Sequence, residues 1–261
     1  MGLFDKLFGK SSSSVDEELK KACDSDMLKN IARYIGNDKT KYDKVLDYLS
    51  QQDNLSMKLR VMTHPNADPQ DLMATLMALQ PSDATKLNRL CKDGINPVIH
   101  FSMYKGMDIL IRVIAHAHAN LDIIGLNGHT PLTIACESGL AETVKMLINN
   151  GAKALNKSDD SGFAPLHYAC QLGNSDIVQT LIKAGANVNE MSANKLMPIH
   201  LAISTCQAAQ MSPTAPNGIK WSAQEALMCV QHLANNGADL NYVCPYGFSA
   251  LDFLKSIGAV K

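Results

Sequence analysis

The sequence predicts an all-α fold, a solenoid of short helix pairs preceded by a separate run of helices. Three observations predict it. The phrase GFAPLHYACQLGNSDIVQTLIKAGANVNE at residues 162–190 recurs upstream as GHTPLTIACESGLAETVKMLINNGA at residues 128–152, with Pro131 and Pro165 34 residues apart. Each copy carries a proline where a helix can begin, because its missing N–H would be unpaired there. Each also carries two short apolar stripes stopped by glycines, Gly173 and Gly185 in the clearer copy. Within that copy Leu166, Ala169 and Cys170 share one helical face, and Ile177, Val178, Leu181 and Ile182 share another, with Asn174 or Ser175 as the cap between them. A fully buried Leu or Ile contributes roughly 1.5–3 kcal/mol, so such a pair of helices offsets its ordering entropy only when neighbours stack on it.

The motifs TPLTIA with Thr130 and Pro131, APLHYA with Pro165 and His167, and the GA endings at Gly151 and Gly185 resemble the ankyrin repeat, whose signature is T-P-L-H-x-A. The resemblance implies helix pairs joined by projecting β-turn fingers, with a concave surface that binds other proteins. It covers residues 87–261: a worn repeat at 87–122, good repeats at 123–156 and 157–190, an interrupted one at 191–241 and a half-repeat at 242–261. In the worn repeat Gly94 and Pro97 stand 34 residues before Gly128 and Pro131, but His118 replaces the terminal glycine and Gly106 is one residue late. An irregular turn and inner helix are expected there. In the interrupted repeat Gly237 follows Gly185 by 52 residues, so about nineteen residues are inserted, at 205–222. The insertion holds Trp221, which is either a binding hot spot or the anchor pinning the loop to its own repeat.

Length and composition agree with one elongated domain. The chain has 261 residues, 46% of them hydrophobic and only 5% aromatic, so small aliphatic side chains do the packing. A net charge of −1 gives no electrostatic case for nucleic acid. Seven irregularly spaced cysteines read as small buried apolar residues, which favours a reducing, cytoplasmic setting.

Residues 1–14 are a flexible or amphipathic start. Leu3, Phe4, Leu7 and Phe8 share one helical face, so residues 3–8 either fray or touch a membrane or a partner's groove. The run is too short and too charged for a secretory signal, Lys6 stands where a myristoylation motif wants Ser or Thr, and no stretch approaches membrane-spanning length. Residues 15–86 predict four helices: one capped by Ser14 or Asp16 and running through Leu19 and Ala22 toward Ile31, one carrying Tyr42, Val45, Leu46 and Leu49, one from Leu55 to His64, and one from Pro69 to Pro81. They either cap the stack or form a small binding domain.

No catalytic or cofactor site is predicted. His167 and Cys170 lie three apart but occupy signature positions, where the resemblance implies that the histidine bonds the turn backbone. His116 and His118, with His100 or Cys91, lack the second anchored pair of a metal site. Glycine-rich phosphate loops and G-x-S-x-G are absent.

Partner-binding positions follow from the resemblance, which turns finger tips and inner-helix ends toward the groove. They are Leu126, Asn127, His129, Glu137 and Ser138, then Asp160, Ser161, Phe163, Gln171 and Leu172, then Asn194, Lys195, Leu196 and Ser204, then Tyr246 and Phe248, with Trp221 from the insertion. Phe163, Leu196 and Phe248 stand at equivalent positions and form either an exposed apolar ridge or packing between fingers. Lys195 replaces the usual finger glycine, which opens the shape of that turn to question. The function predicted is a protein-binding adaptor; a membrane-peripheral tether and an immunity or inhibitor protein are the alternatives.

Overall fold

The computed structural model describes residues 12–212 and 222–258. Residues 3–8 and Trp221 lie outside the described residues, as does much of the insertion. Fifteen α-helices, two 3-10 turns (Pro81–Asp83 and Leu126–Gly128) and one isolated bridge, Val243 with Ser249, make up the regular structure of the described residues. The chain divides into two compact units, residues 1–100 with 113–120, and residues 101–112 with 121–261.

The first unit holds α1 (Ser12–Asp24), α2 (Leu28–Ile35), α3 (Lys39–Gln51), α4 (Leu55–Val61), α5 (Pro69–Met77) and α6 (Ala84–Leu87). Where the apolar stripe predicts one helix running from Leu19 toward Ile31, there are two. Asp26 adopts a left-handed φ of +51° and Met27 is extended, so the helix must stop. A salt bridge holds that break: the Arg89 guanidinium donates to both Asp26 carboxylate oxygens, at 3.2 and 2.7 Å. The core packs Leu19, Ile31, Ile35, Tyr42, Val45, Leu49 and Met57 together. Beneath it Arg60, only 1% exposed, donates to both oxygens of Asp93 at 2.9 and 2.6 Å and to the Ile95 carbonyl at 3.1 Å. This pairing holds the turn at residues 91–95 against α4.

The division falls within two helices, α7 (Pro97–Ser102) and α8 (Asp108–His116). At the end of α8 His118 takes the backbone shape of the glycine that it replaces. Its φ is +58°, and the Ala119 N–H reaches back to the Ile114 carbonyl at 3.1 Å. The second unit closes its outer helices with the same bond, from the alanine after a left-handed glycine: Ala152 to Leu147, Ala186 to Leu181 and Ala238 to Leu233, each at 3.0 Å.

In the second unit inner helices α9 (Pro131–Glu137), α11 (Pro165–Leu172), α13 (Pro198–Met211) and α15 (Ala250–Ser256) stack in order, and outer helices α10 (Ala141–Asn149), α12 (Ser175–Lys183) and α14 (Ala223–Asn235) stack beside them. Local chemistry starts each helix. Thr130 and Thr133 exchange backbone-to-hydroxyl bonds at the head of α9, at 2.7 and 3.2 Å. Asn174 accepts the Ile177 N–H at 3.1 Å at the head of α12, and Ser249 caps α15. The residues predicted as an inserted loop from Thr205 are helical up to Met211, so α13 has 14 residues where α11 has 8. The α13 and α14 helices make the most extensive helix contact in the chain.

A row of amide bonds ties successive repeats of this unit at the base of the fingers. Asp122 Oδ1 accepts the Lys153 N–H at 2.7 Å and Asn156 Oδ1 accepts the Asn187 N–H at 2.7 Å, each across 31 residues. Asn189 Oδ1 accepts the Asp239 N–H at 2.8 Å across 50.

Candidate functional site

The fingers of the second unit are built from one repeated bond. The first residue of each turn donates its N–H to the carbonyl four residues on: Gly125 to His129 at 2.8 Å, Asp159 to Phe163 at 3.1 Å, Ser192 to Leu196 at 2.9 Å and Cys244 to Phe248 at 3.0 Å. The turn closes through a left-handed residue, Gly128, Gly162, Lys195 or Gly247. Lys195 therefore keeps the glycine's turn shape, at φ +56°. The first two fingers also touch, because the Asp160 N–H donates to the Asn127 carbonyl at 3.0 Å.

Histidines lock the turns to the helices. His167 Nδ1 accepts the Ala164 N–H at 3.1 Å, so its Nε2 carries the proton and donates to the Leu196 carbonyl at 3.1 Å in the next finger. His200 Nε2 donates to the Tyr242 carbonyl at 3.2 Å. Burial lowers the pKa of both rings. Burial pushes the Cys170 thiol pKa well above its ordinary value, which favours the protonated thiol, and both nitrogens of His167 are engaged by backbone groups. No group of three or more His, Cys, Asp or Glu among the described residues is placed to hold a metal ion.

Around residue 129 the predicted positions come together. The His129 ring lies between two carboxylates, with Nε2 3.8 Å from Asp159 Oδ2 and Nδ1 4.0 Å from Glu137 Oε2. Asp159 is itself buried, accepting the backbone N–H groups of Ser161 at 2.9 Å and Phe163 at 3.0 Å and a short bond from the Tyr168 hydroxyl. Burial and that bond push the Tyr168 hydroxyl pKa up. Phe163 stacks on His167 at 5.4 Å and meets Tyr168 edge-on at 5.5 Å.

The structure sorts the remaining positions. Asn127, Glu137, Asp160, Gln171 and Lys195 are exposed, His129 and Leu172 are half-buried, and Leu126 and Tyr246 stand out at 60% and 73% exposed. The expected apolar ridge is corrected at Leu196. It is 7% exposed, because its N–H is held by Ser192 Oγ at 3.1 Å while its carbonyl is held by His167. Phe163 and Phe248 are half-buried on their own histidines, Phe248 against His200 at 5.7 Å. Two exposed side chains escaped the sequence reading, Met103 and Tyr104. They follow Pro97 by the six and seven residues that separate Glu137 and Ser138 from Pro131, a register hidden by the worn copy.

A family model for ankyrin repeats in three copies matches residues 66–159, 99–192 and 153–213, together more than half of the chain. The chain belongs to the ankyrin repeat family. A search of curated proteins returns no significant match. Ankyrin repeats generally mediate protein–protein interaction, which fits a framework whose backbone and histidine bonds are spent on its own turns and whose finger tips carry unengaged apolar groups. The repeats matched begin at residue 66, inside the helical run that the sequence reading set apart as a cap. Among the described residues no helix is long and apolar enough to cross a membrane.

Proposed function

We propose that this chain is a non-catalytic scaffold that binds a protein partner through the fingers and inner-helix ends of its second unit. One observation carries the reading. Leu126 and Tyr246 hold bulky apolar side chains 60% and 73% exposed at the tips of turns that are fixed by backbone bonds. A rigid, exposed apolar anchor loses little entropy on binding, which is the property of an interface hot spot and a liability anywhere else. Glu137, Gln171 and Asn127 add polar groups around those anchors.

The test is affinity capture from the native cell with the full chain, run beside a Leu126→Ala/Tyr246→Ala variant and a Met228→Ala variant on an outer helix. Loss of captured proteins with the tip variant alone supports the reading. An unchanged captured set with the tip variant removes these tips from the interface.

A further inference from the structure

Several acidic side chains of the second unit have no lysine or arginine beside them. The cationic side chains among its described residues are Lys105, Arg112, Lys145, Lys153, Lys157, Lys183, Lys195 and Lys255, of which Lys195 lies on a finger and Lys255 on an inner helix, α15. On the outer helices α10 and α12 the anions are answered: Lys145 Nζ sits 3.0 Å from Glu142 and 2.9 Å from Asp176. On the finger side they are not. Among the described residues Glu137 and Asp160 pair with no lysine or arginine.

A recess of about 370 Å³ opens beside Glu137, lined by Ser138, Leu172, Asn174, Ser222 and Glu225. Gly139 and Gly173, at φ of +69° and +67°, line it as well. The Glu225 carboxylate is fixed there by the Ser175 hydroxyl and reaches no lysine or arginine among the described residues. The wall opposite is the Leu172 side chain, so the recess offers an aliphatic side and one anchored negative charge.

We propose that this face takes a cationic segment of the protein partner, whose lysine or arginine enters the recess against Glu225 while Glu137 and Asp160 meet its flanking positive charge. A long aliphatic stem ending in a cation matches both walls: the stem packs on Leu172, and the charged head reaches the carboxylate. Leu126 and the ring of Tyr168 give the flanking residues of that segment their apolar contact. Anions with no cation beside them steer a cationic partner and repel an acidic one, so they select as well as bind. The inference rests on the interaction reading above and specifies its partner.

Random twelve-residue peptides displayed on phage are selected against the full chain, and the winners are synthesised and titrated by fluorescence anisotropy. Winners rich in lysine or arginine are expected. Their dissociation constants should rise roughly tenfold or more in Glu137→Gln/Glu225→Gln, rise again with salt, and stay unchanged in Glu142→Gln on the outer side. Should the double variant melt early, Glu137→Gln alone, at an exposed site, takes its place with a smaller rise. Neutral or acidic winners that still need Leu126 and Tyr246 overturn the cationic segment and leave the interaction reading standing. Winners indifferent to both pairs of substitutions overturn both.

Discussion

A Cβ on residue 162 would lie 2.4 Å from the Ala193 backbone nitrogen, so Gly162 is required by the finger that follows it as well as by its own turn. At φ +78° the residue also sits where a side chain adds strain. Gly162→Ala is expected to destabilise the chain by more than about 2 kcal/mol, the left-handed strain plus displacement of a neighbouring backbone. Gly247 has a similar φ, +82°, with nothing within 4 Å. Gly247→Ala should therefore show the strain alone, about 1–2 kcal/mol. Urea unfolding of both variants checks the difference; equal losses would mean that the fingers yield freely.

Asp93 neutralises a guanidinium that is almost wholly buried. Asp93→Asn is expected to destabilise by about 3–5 kcal/mol, because Arg60 then keeps its charge without a counter-ion. Asp43→Asn, which removes an exposed pair with Lys39 at 3.9 Å, should change stability by less than about 0.5 kcal/mol. Chemical denaturation of the two variants, followed by circular dichroism, makes the comparison.

Three buried histidines set the acid side of the stability curve. Burial lowers the pKa of His167 and His200, and lowers that of His100 from 6.5 to about 4. The unfolded chain then binds protons that the folded chain refuses. Their contribution is whole above about pH 6.5 and is lost as pH falls below it, down to about pH 4 for His100, with a slope of up to about 1.4 kcal/mol per pH unit for each ring. Unfolding free energies measured across that window should fall with pH, and His100→Gln should flatten the fall even where it lowers absolute stability. An unchanged slope would refute the assignment for His100.

The Tyr42 hydroxyl is buried with no hydrogen-bond partner among the described residues, and burial raises its pKa to about 12. Tyr42→Phe keeps the ring's contact with His64, at 6.2 Å, and removes a desolvated polar group. The variant should be as stable as the parent or gain up to about 1 kcal/mol in thermal unfolding. A loss above that size would show that the hydroxyl is engaged in solution.

Local patterns made the repeats legible. Pro131 and Pro165 with their capping partners, and the glycines behind them, are consequences of short-range chemistry that a single sequence displays. The break at Asp26 was hidden because the apolar stripe continues through it; what stops the helix is a carboxylate held by Arg89, 63 residues away. The burial of Leu196 was hidden for the same reason, since His167 in the preceding repeat draws its carbonyl inward. Within the candidate site, Leu126 and Glu137 were readable once the resemblance to the ankyrin repeat gave their register a meaning. Asp159 and Tyr168, which organise the ring of His129, were not, because neither position departs from what a turn or a buried helix face would carry.

The amide bond from Asp239 to Asn189 spans 50 residues with the geometry that its counterpart from Asn187 to Asn156 has across 31. Chain length and stacking register are therefore uncoupled between α13 and α14. What keeps the array in step is the stitch between neighbours, and the number of residues that separates two stitches is free to differ from repeat to repeat.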